Sequence, residues 1–105
     1  MATRRKNKPT DRNVQQVLDI FAEYEKDHPG AKIDVYRHGS GSIRIRVINP
    51  SFRGLDRVDR DTEAWKVLER LPDEVQSEIT FLILLTPSET KKSFANLEFE
   101  DPVPL

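Results

Sequence analysis

The chain has 105 residues, of which 33% are charged and 36% hydrophobic, so the sequence predicts one small domain with a modest core. Seventeen Lys and Arg against eighteen Asp and Glu give a net charge of -1, and no overall positive field favours nucleic acid or an anionic membrane. The lack of cysteine excludes disulfides, thiolate nucleophiles and zinc ribbons. No apolar run approaches the ~20 residues that span a bilayer, so we expect a soluble, cytoplasmic protein with no membrane partner.

The N-terminal part of the sequence predicts a tail followed by a helix. Residues 1–11 are rich in cations and poor in large apolar side chains, which predicts a flexible basic tail. From Arg12 to about Lys26 the apolar residues recur every three or four positions, which is typical of an amphipathic helix, and Thr10 or Asp11 can serve as its N-cap. The segment His28-Pro29-Gly30 should end this helix.

Two strands should follow the first helix. Ile33 and Val35 alternate with polar residues, and Ile43, Ile45 and Val47 do the same. The segment 37–42 contains two glycines and predicts the hairpin loop between them. The alternation predicts an antiparallel pair with one apolar face and one partly cationic face, the latter formed by Arg44 and Arg46.

The second half of the chain predicts a helix, a short helix, a strand and a last helix. Apolar spacing favours a helix over some or all of residues 55–71, which Pro72 ends or kinks, and residues 73–78 suit one further helical turn. The apolar run Ile79–Leu85 predicts a strand covered on both faces. The sequence Thr86-Pro87-Ser88-Glu89 is a capping box that announces a short helix to about Phe94.

These elements predict a single α+β domain over residues 12–95, in the order helix-strand-strand-helix-short helix-strand-helix, with an acidic and loose tail over residues 96–105. From Val14 to Glu89 this order resembles the BolA family, which has a class II KH-like fold. The resemblance rests on four short motifs. They are Tyr36-Arg37-His38, Phe52-Arg53-Gly54, Val58-Asp59-Arg60 and Thr86-Pro87-Ser88-Glu89.

The resemblance implies a three-stranded mixed sheet with helices on one face, and a non-enzymatic adapter that works through a protein partner. In the BolA family the partner is a monothiol glutaredoxin, with which a [2Fe–2S] cluster is shared through a late histidine and a ligand in the hairpin region. Here Glu78 aligns near that histidine, Arg60-Asp61-Thr62 replaces the usual Arg-His-Arg, and His38 is the one remaining metal-ligand candidate. Because a carboxylate is a harder donor than imidazole for such iron, we expect no cofactor and no metal site.

The alternative function is a nucleic-acid-binding regulatory module of KH-like fold. Guanidinium groups suit phosphates, and arginines occur on the Arg44/Arg46 strand face and around the turn from Phe52 to Arg60. Aspartates interleave with the arginines of the turn, and the Gly-x-x-Gly clamp of KH domains is absent at the corresponding place. For either partner the candidate contact residues are Arg44, Arg46, Phe52, Arg53, Gly54, Arg57 and Arg60, and the final helix is a second candidate for a protein partner.

We expect no enzyme and no small-molecule substrate. The serines lack a nucleophile elbow, and the sequence contains neither a phosphate-binding loop nor a His-Glu-x-x-His metal motif. Phe52 has two interpretations, since an aromatic residue beside Gly54 can anchor the turn in the core or face a partner.

Overall fold

The computed structural model describes residues 2–4 and 11–101 of the chain. None of the helices in these ranges is long and apolar enough to cross a membrane. Short 3₁₀ turns occur at Pro50–Phe52 and Pro87–Lys91. In chain order the other elements are β1 (Ala2–Arg4), α1 (Arg12–Asp27), β2 (Lys32–His38), β3 (Ser42–Ile48), α2 (Arg57–Leu68), α3 (Asp73–Gln76), β4 (Ile79–Leu85) and α4 (Phe94–Glu100).

The strands form one mixed sheet in the order β1-β2-β3-β4. β2 and β3 form an antiparallel hairpin, in which Val35 lies opposite Ile45. β3 and β4 are parallel, with Ile45 opposite Leu82, and α2 and α3 supply the crossover that a parallel pair requires. The predicted α+β class and the mixed three-stranded sheet of β2, β3 and β4 are therefore confirmed.

The helix ends follow the capping residues of the sequence. Asp11 caps α1 by accepting a hydrogen bond from the Val14 N–H at 3.1 Å, and Gly30 takes the positive φ that the turn after α1 requires. Asp56 caps α2 in the same way, by accepting from the Asp59 N–H at 2.9 Å.

The main core lies between one face of the sheet and the helices α1, α2 and α3. Val14, Val17 and Phe21 of α1 are fully buried there, as the helical spacing of the sequence predicts. Each contributes the free energy of removing apolar surface from water, about 25 cal/mol per Å². The sheet, the other two helices and the turn between them complete this core with Ile33, Val35, Ile43, Ile45, Val47, Ala64, Leu68, Leu71, Val75 and Leu84.

The last helix departs from the prediction in extent and in place. Ser93 caps α4 by accepting from the Asn96 N–H at 3.1 Å, and Phe99 is fully buried with its ring centroid 4.9 Å from that of Tyr36. Residues 96–100 are therefore a packed helix, and the predicted loose acidic tail is wrong for them. Residues 102–105 of that prediction lie outside the described residues. α4 covers the sheet face opposite α1–α3, so helices occupy both faces rather than one.

The N-terminal segment also differs from a uniform tail. Ala2–Arg4 forms β1, which pairs parallel to β2 with Thr3 opposite Asp34. Residues 5–10 of the predicted flexible basic tail lie outside the described residues. The sheet therefore has a short fourth strand beside the three that the sequence predicts.

Candidate functional site

Arg46 lies at the centre of the contact between α4 and the sheet. Its side chain is 10% exposed, its Nε donates to Asp34 Oδ2 at 2.9 Å, and its Nη1 donates to Asn96 Oδ1 at 2.9 Å and to Glu100. The guanidinium also lies over the ring of Phe99, 4.8 Å from its centroid. Burial alone lowers the pKa of Arg46, but the hydrogen bonds to Glu100 and Asp34 outweigh it, and the pKa is raised. Arg46 is therefore a buried cation that is paired with two carboxylates.

Arg44 occupies the neighbouring position on the same sheet face. Its guanidinium lies over the ring of Phe81 at 4.8 Å, and its Nη1 lies 3.4 Å from Tyr36 Oη and 3.6 Å from a carboxylate oxygen of Glu98. Its Nε is buried without a hydrogen-bond partner among the described residues. We call the face that carries Tyr36, Arg44, Arg46 and Phe81 the arginine face. It was predicted as a contact surface, and that prediction is wrong because α4 covers it.

The turn after β3 is built around a buried aromatic ring. Phe52 is 1% exposed and belongs to the main core, so the interpretation as an anchor is correct. Asn49 positions the turn by accepting from the Ser51 N–H at 2.9 Å, and Gly54 has a φ of +83°. Gly54 and the side chains of Arg53 and Arg57 are exposed. Of the predicted contact residues, only these three face solvent.

Arg60 connects the turn to the end of β4. Its Nε donates to the carbonyl of Leu55 at 3.0 Å, its Nη1 to that of Leu84 at 3.0 Å, and its Nη2 to that of Phe52 at 3.1 Å. Nη1 also lies 2.7 Å from Glu89 Oε1, and the side chain of Arg60 is 12% exposed. Arg60 therefore has a structural role, since its donors join three segments of backbone.

Glu89 completes this connection. Its carboxylate accepts from Arg60 and from the Thr86 N–H at 2.8 Å, which is the predicted capping box at the start of the second 3₁₀ turn. The hydrogen bonds from Arg60, followed by the one from the Thr86 backbone, lower the pKa of Glu89 to about 2.

The residues suggested for a shared iron–sulfur cluster do not fit one. The Glu78 carboxylate accepts from Arg37 Nη1 at 3.1 Å and from Asn13, so its oxygens are already engaged. Arg37 in turn donates to Asp11 at 2.8 Å, and this hydrogen bond is the largest cause of its raised pKa. His38 Nε2 is buried, without a partner among the described residues, and no group of three ligand-type side chains suitable for a metal occurs in them. Neither the Glu78 carboxylate, which is paired with Arg37, nor the buried His38 Nε2 offers the accessible donor that a shared cluster needs.

Two exposed surface features contain residues that the sequence interpretation did not name, although it gave the final helix as a second candidate for a protein partner. Phe94 is 87% exposed and Leu97 is 59% exposed, and both lie on α4 at a spacing of three residues. The only other large apolar side chain exposed to this degree among the described residues is Val58 on α2, at 70%. The sequence did contain one sign of this helix, since Ser93 can serve as an N-cap before the segment Phe94-Ala95-Asn96-Leu97-Glu98-Phe99. The acidic residues in and after this segment hide the helical spacing of its apolar residues.

The second feature is a groove of about 580 Å³ along the free edge of β4. Leu82–Leu85 line its floor, and α2 supplies one wall through Arg57, Arg60 and Asp61. Lys92, Ser93 and Ala95 line the opposite wall, where α4 begins. We call this feature the edge groove. Its apolar floor and charged walls lie beside the exposed turn.

The geometry of the described residues thus offers an exposed apolar helix face and an open strand edge, and it leaves the arginine face covered. No family model, no curated protein and no solved structure matches this chain significantly.

Proposed function

We propose that this protein is a non-enzymatic adapter that binds another protein through the outer face of α4. The observation that carries this proposal is the exposure of Phe94 and Leu97 on a helix whose inner face is fixed. On the inner face of this helix, Phe99 is fully buried and Asn96 is only 7% exposed. Because these contacts hold the inner face down, α4 cannot rotate to bury Phe94 and Leu97 within the same molecule.

An aromatic and an aliphatic side chain three positions apart on a helix suit a helix-in-groove contact with a partner protein. Large exposed apolar side chains that lie together are a sign of such contacts, and aromatic residues contribute much of the binding energy where they occur. The helix is held by Arg46, which donates to Asn96 and Glu100. A partner would therefore meet a pre-ordered helix and lose little entropy in ordering it.

The resemblance to BolA makes a monothiol glutaredoxin-like protein the first partner to test. In this proposal the contact does not depend on an iron–sulfur cluster ligand from this chain, because the Glu78 carboxylate is paired with Arg37. Nucleic-acid binding is the less favoured alternative. Its arginine face is covered, and the exposed cations Arg53 and Arg57 stand beside the acidic residues Asp56 and Asp59.

The test uses the purified protein and two variants of it, one altered on α4 and one on α2, as bait in nuclease-treated lysate of the source organism. Binding to purified monothiol glutaredoxin is measured in parallel by titration calorimetry. We expect Phe94→Ser with Leu97→Ser to weaken partner binding at least about tenfold, as for loss of an interface hot spot. Val58→Ser is the matched control, because it removes an equally exposed apolar side chain from α2 and should leave binding unchanged.

Capture that is equally strong for all three versions would contradict the assignment to α4. Nucleic acid captured from a parallel lysate without nuclease, with no protein captured from the treated lysate, would favour the alternative function.

A further inference from the structure

The outer edge of β4 has no neighbouring strand among the described residues and is open at Leu82. β4 ends the described sheet and pairs with β3 alone. Its seven residues, Ile79-Thr80-Phe81-Leu82-Ile83-Leu84-Leu85, include no charged residue, no proline and no glycine. Strand edges are normally blunted by charges, by proline or by a covering element, because unpaired backbone groups recruit another strand. An open and uncharged edge therefore indicates a place where another strand binds.

The direction of the backbone groups along β4 follows from its hydrogen bonds. The Leu85 carbonyl accepts from the Asn49 N–H at 2.8 Å, so Leu85 faces β3. Because successive residues of a strand point their N–H and C=O groups to opposite sides, Leu82 and Leu84 face the outer edge. The bond from Arg60 Nη1 to the Leu84 carbonyl confirms this direction. Leu82 thus presents both an N–H and a C=O outward, and no described residue bonds to them.

We infer that the edge groove pairs β4 with β4 of a second copy of this chain, antiparallel and about a twofold axis at Leu82. A residue that directs both backbone groups outward can exchange two hydrogen bonds with the same residue of a twofold-related copy. The shift of register between β3 and β4 near Phe81 and the bond of Arg60 to Leu84 limit this ladder to a short stretch. The two sheets then join into one.

The charges of the groove wall are complementary to themselves. Arg57 and Asp61 lie one helical turn apart on the α2 wall, and neither forms an ion pair with another described residue. A twofold axis perpendicular to the joined sheet places the α2 helices of the two copies side by side, running in opposite directions. In the proposed dimer Arg57 of one copy pairs with Asp61 of the other, which gives two equivalent ion pairs.

The opposite wall agrees with this arrangement. It is made of the small residues Ser93 and Ala95 and of one cation, Lys92, while Glu89 on the same side is already paired with Arg60. Small side chains permit close approach of a second copy. The self-complementary charges favour a second copy over an unrelated strand, because an unrelated partner has no reason to carry the same pair in reverse order.

The test is the mass of the purified full chain by sedimentation equilibrium over a wide range of protein concentration. We expect a monomer–dimer equilibrium, with the Leu82 amide protected from hydrogen exchange only in the dimer. Arg57→Asp should weaken the dimer at least about tenfold, because it sets like charges opposite each other. The double variant Arg57→Asp with Asp61→Arg should restore it, while Arg53→Asp, an equally exposed arginine off the groove, should have no effect.

A monomer at every concentration would overturn the inference, and so would a dimer that Arg57→Asp leaves intact. Thr80→Lys adds a charge to an exposed position on β4 without touching the core and should also give monomer. Phe94→Ser with Leu97→Ser is run beside these variants and should still dimerise. If that variant alone becomes monomeric, the α4 face is the self-contact and the edge inference fails. If the Phe94→Ser with Leu97→Ser variant still dimerises but no longer binds the partner protein, the result supports both proposals.

Discussion

The two faces of the sheet are stabilised by different physical means, although β3 contributes to both. Toward α1–α3 it presents Ile43, Ile45 and Val47, each no more than 1% exposed and part of the main apolar core. Toward α4 it presents Arg44 and Arg46, whose charges are met by carboxylates, a phenol and two aromatic rings. The first face needs only apolar surface of suitable shape. The second needs specific partners in specific places.

This difference determines how each face should respond to mutation. Apolar burial is non-directional, so its loss scales with the area and the cavity created. A buried cation depends on its partners, and removing one member of the network leaves the others desolvated and unpaired. The arginine face should therefore fail locally, by release of α4, while the main core should fail as a unit.

The largest effect is expected from Phe52→Ala, which removes a ring from the main core. We expect the free energy of unfolding to fall by ~3–5 kcal/mol, because the buried ring is lost and a cavity remains. Urea denaturation followed by far-ultraviolet circular dichroism measures this. Phe94→Ala is the control, since it makes the same chemical change at an 87% exposed position and should stay within about 0.5 kcal/mol. Equal losses for the two variants would refute the anchor role of Phe52.

A smaller and more local effect is expected from Arg46→Ala. We expect a loss of about 2–3 kcal/mol, because Asp34 and Asn96 lose a charged donor in a largely buried place. Amide hydrogen exchange should accelerate in α4 and remain slow in α1. Arg53→Ala, at an exposed arginine away from the edge groove, should change neither quantity. An Arg46 variant as silent as the Arg53 variant would mean that the arginine face is open to solvent.

The sequence predicted the main core well, because its signal is local. The spacing of Val14, Val17 and Phe21 and the alternation of Ile43, Ile45 and Val47 each record which side of an element is buried. The arginine face could not be predicted in this way. Arginines that alternate with aliphatic residues are also typical of a solvated sheet face, and only the position of α4 distinguishes the two cases.

The same reason explains which site residues were misassigned. Arg60 looked like one of several exposed cations, yet three of its bonds go to the carbonyls of Leu55, Leu84 and Phe52, which no side-chain pattern in the sequence reveals. Phe94 and Leu97 were overlooked because the acidic residues after Leu97 suggested a loose tail. The edge groove depends on strand order, which periodicity alone does not give.

The smallest expected effect is on the pH dependence of stability, and it comes from the ion pair between Arg60 and Glu89. Because folding lowers the pKa of Glu89 from 4.5 to about 2, its ion pair with Arg60 stabilises the protein above about pH 4.5. That contribution is lost as the pH falls toward about 2. Glu89→Gln should remove about 1 kcal/mol or less at neutral pH, since the side chain is 42% exposed. Its stability should also vary less with pH across that acid range. A variant whose pH profile matches the parent would exclude Glu89 as a contributor.

The position of α4 over the arginine face can be measured in solution. Nuclear Overhauser contacts in the isotope-labelled protein can be measured between the rings of Tyr36 and Phe99 and between Arg46 Nε–H and the ring of Phe99. We expect both contacts, with a slowly exchanging Arg46 Nε–H, because the rings are 4.9 Å apart and the guanidinium lies 4.8 Å from the Phe99 centroid. The absence of both contacts, with α4 amides exchanging as fast as in an unfolded peptide, would contradict this position of α4 and return Arg44 and Arg46 to the surface.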